Sequence, residues 1–249
     1  MIIDPVKMFA ECLDGLYIDE DIVVVHTRLI PFKIKRENLE EICEILIDKI
    51  GKNKTIIMPS FTYSFSKKKI WSYHKSKSQA GMLTEYFREK IADERTIHPI
   101  HSVTILNNNY SISHNSQSSF GKGSAWEFIC LNDVCNLSIG VGLNGGATIC
   151  HYSEEFVQVN YRSYIKLEGE IFDKNNVKVD KTFTYYARED GNNVTNNWGI
   201  CEKDLIKNNI MKKRIFFKDI PVCYMNSKRA TKFLIEKLSD DKKYLVEKE

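Results

Sequence analysis

Between residues 21 and 58 the chain changes its hydrophobic period twice. Residues 21–25 read DIVVV, a β-branched run with the length and composition of a buried strand. From Arg36 to Ile50 the apolar positions are Leu39, Ile42, Cys43, Leu46, Ile47 and Ile50. Their spacing by threes and fours marks one helix face, and Gly51 follows as its stop. Residues 55–58 (TIIM) return to strand composition, and Pro59 closes that run. Strand, helix and strand in this order form a βαβ unit, which requires a parallel pair with a helix on one face.

The rest of the chain is read by the same means. Met82, Leu83, Tyr86, Phe87 and Ile91 trace a second amphipathic helix, and a short one is expected at 125–129. Residues 137–143 (LSIGVGL) have the character of a central strand whose glycines allow close approach of backbone or ligand. Residues 164–172 and 177–186 form two strands with DKNN as the turn between them, and Asn226-Ser227 caps a final helix. No internal repeat or long linker interrupts the pattern. The expected fold is therefore α/β, a three-layer α/β/α sandwich around a largely parallel, mixed sheet. A β-hairpin lies in the C-terminal half, and residues 1–249 form a single domain.

Composition narrows the class. With 249 residues, 43% hydrophobic and 28% charged, the chain is too apolar for disorder and long enough to bury a core without disulfides or a structural metal. No apolar run approaches the roughly 20 residues of a membrane span. The first residues, with an acid at Asp4 and no long apolar core, do not form a secretory signal. A cytoplasmic protein with no membrane partner is expected. Thirty-six basic and 33 acidic side chains leave a net charge of +3, without the concentrated basic excess of a nucleic-acid binder. The densest basic stretch, SKKKIWSYHKSK at 66–77, is either a solvated loop or a contact for a phosphate-bearing ligand. Seven cysteines, odd in number and without a C-x-x-C pair, exclude a zinc ribbon or thioredoxin-like site. No metal is expected.

Histidine offers the clearest route to chemistry. His26 directly follows the DIVVV run, His98 and His101 lie in HPIHS, and His151 follows the LSIGVGL strand across a short turn. In open α/β sheets ligands gather at the carboxyl ends of strands. With a helix starting near Thr148, itself a plausible cap, His151 and Glu154 lie on one face at i, i+3. A carboxylate on one ring nitrogen fixes the tautomer and makes the other nitrogen a better base. Glu155 at i+4 fits that part equally well, and a plain surface helix pair has the same spacing. Cys150 precedes His151, but neighbours on a helix point about 100° apart, so the two do not pair for nucleophilic catalysis. Phe120-Gly121-Lys122-Gly123-Ser124 is a small glycine loop suited to a phosphate or amide-rich ligand, although it is neither a P-loop nor a Rossmann fingerprint. Two polar loops, 107–119 and 188–198, have the length of site-lining segments.

Taken in order, MPSFTYSF, HPIHS, SHNSQSSFGKGS and IGVGL followed by TICHYSEE resemble the aminoglycoside 3-N-acetyltransferase family across roughly residues 10–235. That family uses acetyl-coenzyme A and differs in fold from the common GNAT acetyltransferases. The resemblance implies a general base at His151, its carboxylate partner at Glu154, and Thr148 near the acetyl group. It further implies a coenzyme A groove from His26, Thr27, His98, Ser102, Gly121, Gly123 and Ser124. Some relatives are homodimers, and the sequence is compatible with one. There are departures: Thr27, Arg28, Leu29, Ile30 and Pro31 stand where the family has small serines and a glycine turn. Aminoglycosides are polycations that favour acidic clefts, whereas this chain is slightly basic. The expected acceptor is therefore an amino sugar carrying phosphate, such as a nucleotide-linked amino sugar. An aminoglycoside acceptor and an inactive binding relative are the alternatives.

Overall fold

The computed structural model describes residues 4–112, 116–188 and 194–247. In chain order the helices are α1 (Pro5–Leu13), α2 (Leu39–Ile50), α3 (Phe65–Lys68), α4 (Met82–Lys90), α5 (Ala125–Leu131), α6 (Leu143–Gly146), α7 (Thr148–Val157), α8 (Trp198–Lys207) and α9 (Ser227–Asp240). The strands are β1 (Ile22–Thr27), β2 (Thr55–Pro59), β3 (Ile70–Ser72), β4 (Glu94–Arg95), β5 (Val103–Leu106), β6 (Val134–Ile139), β7 (Arg162–Leu167), β8 (Glu170–Phe172), β9 (Phe183–Arg188), β10 (Met211–Phe216) and β11 (Ile220–Asn226).

Seven strands form the main sheet in the order β10-β11-β6-β1-β2-β5-β4. β1 is parallel to both β2 and β6, so the expected parallel character belongs to the three central strands. The outer pairs are all antiparallel. Alternation along β1 divides the interior into two apolar layers. Val23 and Val25 face Phe9, Ile42, Leu46, Leu83 and Phe87 of α1, α2 and α4. Ile22 and Val24 face Trp126, Ile149, Leu234 and Leu238 of α5, α7 and α9. Helices cover both faces of the sheet, which is the expected three-layer sandwich.

Local chemistry explains several boundaries. Gly51, at φ +120°, ends α2 where the spacing places the stop. Asn226 accepts a hydrogen bond from the Arg229 N–H and caps α9 as expected. β6 ends at Ile139, earlier than the LSIGVGL run, because Gly140 turns the chain at φ +74° and Leu143 already belongs to α6. In the C-terminal half the DKNN turn forms, with Asp173 and Val177 bonded across it, but the strands do not pair continuously. β7 pairs antiparallel with β9, while β8 turns away to lie parallel to β3. The hairpin is thus a ribbon with a detour.

The 66–77 stretch is mostly solvated. Lys67, Lys68, Lys69, Lys75 and Lys77 are exposed, while Trp71 is fully buried beneath the Arg95 guanidinium at 4.7 Å. All seven cysteines are buried free thiols. Among the described residues no helix is long and apolar enough to cross a membrane.

Candidate active site

The carboxyl ends of β1 and β6 open on the same edge, because Thr27 and Ile139 are partners in a parallel register. From there the chain passes through α6 directly into α7. The first helical residue of α7 is Thr148; its neighbour Ala147 occupies the cap position, and no side chain caps the helix. Ile149, Cys150, Tyr152 and Ser153 are buried, and α7 is held on the sheet by Ile149, Cys150 and Tyr152 in the apolar layer shared with α5 and α9. His151 is left toward the open side, with its side chain 24% exposed.

The spacing question is resolved by contact. His151 Nδ1 donates to Glu154 Oε2 at 2.7 Å, and the Tyr161 hydroxyl donates to Glu154 Oε1 at 2.9 Å. Arg162, the first residue of β7, places Nε 3.0 Å from Glu154 Oε2 and Nη2 3.2 Å from His151 Nδ1. Glu154 is fully buried. Burial alone would raise its pKa, but the His151 hydrogen bond, the charges of His151 and Arg162, and the Tyr161 hydroxyl outweigh burial and hold it below the ordinary carboxylate value. Burial also works against the Arg162 charge, yet Glu154 keeps the guanidinium firmly protonated. Glu155 faces elsewhere: its Oε1 accepts from Ser118 Oγ at 2.6 Å and Tyr164 OH at 3.2 Å, and burial raises its pKa. With Nδ1–H committed to Glu154, the His151 Nε2 lone pair is available, and no described residue bonds it. Phe120 and Trp198 flank the ring, with centroids 5.4 and 5.7 Å away.

The other residues singled out by resemblance differ in how far they are committed to the fold. Thr27, Gly121 and Gly123 reach the surface at this edge, and Gly123 adopts φ +76° with open space around it. Ser124 caps α5 by accepting from the Glu127 N–H, and the first turn of that helix brings Trp126 against His26, with ring centroids 6.2 Å apart. His26 is buried, its Nε2 has no partner, and burial lowers its pKa to about 4. His98 and Ser102 are committed within the fold. His98 Nδ1 accepts two backbone N–H groups, while Ser102 Oγ donates to the Ser60 carbonyl at 2.8 Å and receives Arg95 Nε at 3.1 Å. Gly121 leaves room for Glu155, since an added Cβ would collide with that carboxylate. Thr148 is 7% exposed, one helical turn before His151.

Cys150 points away from the His151 ring. Its thiol is fully buried and hydrogen-bonded to the Cys201 thiol, and that contact together with burial keeps its pKa well above the ordinary thiol value. Sequence reasoning missed Arg162 and Tyr161, which complete the surroundings of Glu154. Their only sequence signal is a charged residue opening a β-run, which becomes informative once that charge is known to be buried. Of the two polar loops, residues 113–115 and 189–193 lie outside the described part. Two wide concavities lie elsewhere. One of about 570 Å³, lined by Asp19, Asp21 and Asp133, opens at the opposite end of the sheet. The other, of about 540 Å³, lies against α1 and α2.

A family model described as aminoglycoside 3-N-acetyltransferase matches residues 24–239. The chain belongs to the aminoglycoside 3-N-acetyltransferase family, and it is an acyltransferase of that family. Solved structures agree in fold. The aminoglycoside acetyltransferase AAC(3)-IVa apoenzyme superposes with a TM-score of 0.75 at 14% identity, covering 98% of this chain and 91% of that one. The YokD protein from Bacillus subtilis gives 0.75 at 15% identity, with coverage of 97% and 96%. AAC-VIa bound to sisomicin gives 0.72 at 14% identity, with coverage of 95% and 96%. No curated protein matches the sequence significantly.

Proposed function

We propose that the chain transfers the acetyl group of acetyl-coenzyme A directly to an amine of an amino sugar, with His151 Nε2 as general base. The observation that carries this reading is an imidazole whose Nδ1–H is fixed on a buried carboxylate while Nε2 is unbonded among the described residues. An incoming amine loses its proton to Nε2 as its nitrogen attacks the thioester carbonyl. Glu154 holds the ring and stabilises the imidazolium that results. Arg162 keeps Glu154 ionised through this cycle. Thr148, one turn earlier on the same helix, stands beside the acetyl group. Holding both substrates against the same sheet edge supplies much of the rate.

Acetyl-coenzyme A fits the edge formed by Thr27, Gly123 and Ser124. The unpartnered His26 Nε2 and the open space at Gly123 are the unfilled positions there. His98, Ser102 and Gly121 shape the floor. For the acceptor we favour a nucleotide-linked amino sugar. The carboxylates beside His151 are engaged within the fold, while Arg28 and Lys122 are exposed at the same edge. A second reading, an aminoglycoside acceptor, is favoured by the structural relative bound to sisomicin.

Thiol release from acetyl-coenzyme A, followed over both acceptor classes, tests the reading. His151→Ala is expected to lower kcat by about 10²- to 10⁴-fold while acetyl-coenzyme A binding is retained. Parent-like turnover in that variant would refute the general-base assignment. Absence of thiol release with every acceptor would point instead to a binding protein.

A further inference from the structure

The HPIHS loop between β4 and β5 contains a second histidine that the reading above leaves unused. His98 Nδ1 accepts the N–H groups of Ile100 at 3.2 Å and His101 at 2.9 Å. A ring nitrogen that accepts amide hydrogens carries no proton, and burial lowers the His98 pKa to about 3, so its single proton sits on Nε2. That Nε2–H faces Ser119 Oγ at 3.2 Å and the Thr184 carbonyl at 3.4 Å. The Ser119 hydroxyl then sends its own proton to its nearest acceptor, His101 Nδ1, at 2.9 Å rather than the Thr184 carbonyl at 3.3 Å. With the Ser119 proton assigned to this shorter contact, His101 carries its own proton on Nε2, and no described residue bonds that N–H.

The His101 ring lies against Phe120 and Tyr185, with centroids 4.8 and 4.7 Å away, and the Phe120 centroid is also 5.4 Å from that of His151. The two imidazoles therefore share one aromatic wall. One offers a lone pair and the other an N–H. We propose that His101 Nε2–H donates a hydrogen bond to the carbonyl oxygen of the acetyl thioester and is a catalytic residue of this site.

This rests on the acetyl-transfer reading. As the acceptor nitrogen forms its bond to the carbonyl carbon, the π pair moves onto oxygen, where the N–H receives it. His151 takes the proton lost from nitrogen. Collapse of the oxyanion then breaks the carbon–sulfur bond, and the departing thiolate takes up that proton. The donor must be neutral, since an imidazolium beside His151 would oppose protonation of the base. Burial, with the nearby Arg162 charge added, holds His101 well below its ordinary range. The other titratable groups around the two rings are Glu154, Tyr161, Tyr63 and Tyr185, and the Tyr161 hydroxyl is spent on Glu154.

The experiment compares parent, His151→Ala, His101→Ala, His101→Gln and Ser119→Ala by steady-state thiol release and by calorimetric binding of acetyl-coenzyme A. His101→Ala is expected to lose about 10²- to 10³-fold in kcat, the cost of one oxyanion donor. The KM values should stay within threefold and the acid limb of the pH–rate profile should not move. His101→Gln, which restores an N–H at the same reach, should recover at least tenfold. If His101→Ala does not fold, Ser119→Ala carries the test, because it frees the tautomer and should lower kcat about tenfold with binding intact. A folded His101→Ala variant with kcat within threefold of parent overturns the proposal, as does a Gln variant no faster than Ala. Parent-like turnover in His151→Ala overturns the underlying reading and this proposal with it. With His151→Ala inactive and His101→Ala at parent rate, only the His101 role falls.

Discussion

Replacing Arg162 by Met tests how the site is held together. Methionine keeps an apolar stem of similar reach, so the perturbation removes charge more than packing. Arg162 and Glu154 have side chains only 3% and 0% exposed, with Nε 3.0 Å from Oε2. Removing one member of so buried a pair leaves an uncompensated charge and costs about 3–5 kcal/mol. At roughly 2–4 °C per kcal/mol for a chain of this size, Tm should fall by about 6–20 °C. The loss should also depend on pH. In the parent, Glu154 is held low and stays ionised. Without Arg162, one of the contributions that hold the carboxyl low is lost, so the native variant binds a proton at Glu154 more readily than the native parent does. Lowering the pH then stabilises the variant relative to parent, so the gap should narrow between pH 8 and pH 5. Urea unfolding at both pH values measures it, and Arg162→Lys should recover about half the loss. A gap below about 1 kcal/mol, or one equal at both pH values, would refute the reasoning.

Three further outcomes are expected. Gly140→Ala places a Cβ at φ +74° against the Arg28 carbonyl and 2.9 Å from the Phe32 ring, so urea unfolding should show a loss of about 2–4 kcal/mol. His26 is neutral in the native state, with a pKa of about 4, while the unfolded chain protonates near 6.5. Its contribution is complete above about pH 6.5 and is lost as the pH falls towards 4, on the order of 3 kcal/mol, so stability in His26→Leu should fall less steeply over that window. Cys150→Ala should keep turnover within about threefold of parent, because the thiol is buried against Cys201; mass spectrometry after mixing with acetyl-coenzyme A alone should find no acetylated protein.

The parallel centre of the sheet is legible in the sequence because β1 and β2 are buried on both faces and therefore read as unbroken apolar runs. The outer strands are not. β10, at the edge, carries Lys212, Lys213 and Arg214, and its neighbour β11 holds Pro221, so charge masks the one and a proline the other. In the site, the i, i+3 spacing of His151 and Glu154 is local and readable. Which glutamate turns toward the ring is settled by Tyr161, Arg162, Ser118 and Tyr164, which approach from other segments. Spacing along one helix carries no information about them. His98 and Ser102 show the converse, since their motif is local but their hydrogen bonds are spent inside the fold.

The ribbon of β7 and β9 stands outside the main sheet, and an isolated two-stranded ribbon is marginal in water. Yet Arg162, at its first position, grips the carboxylate that aims the His151 imidazole. Docking of the ribbon and alignment of the ring are consequently one cooperative event. Amide exchange along β7 and the imidazole signal of His151 should lose their native character together, ahead of the strands at the centre of the sheet.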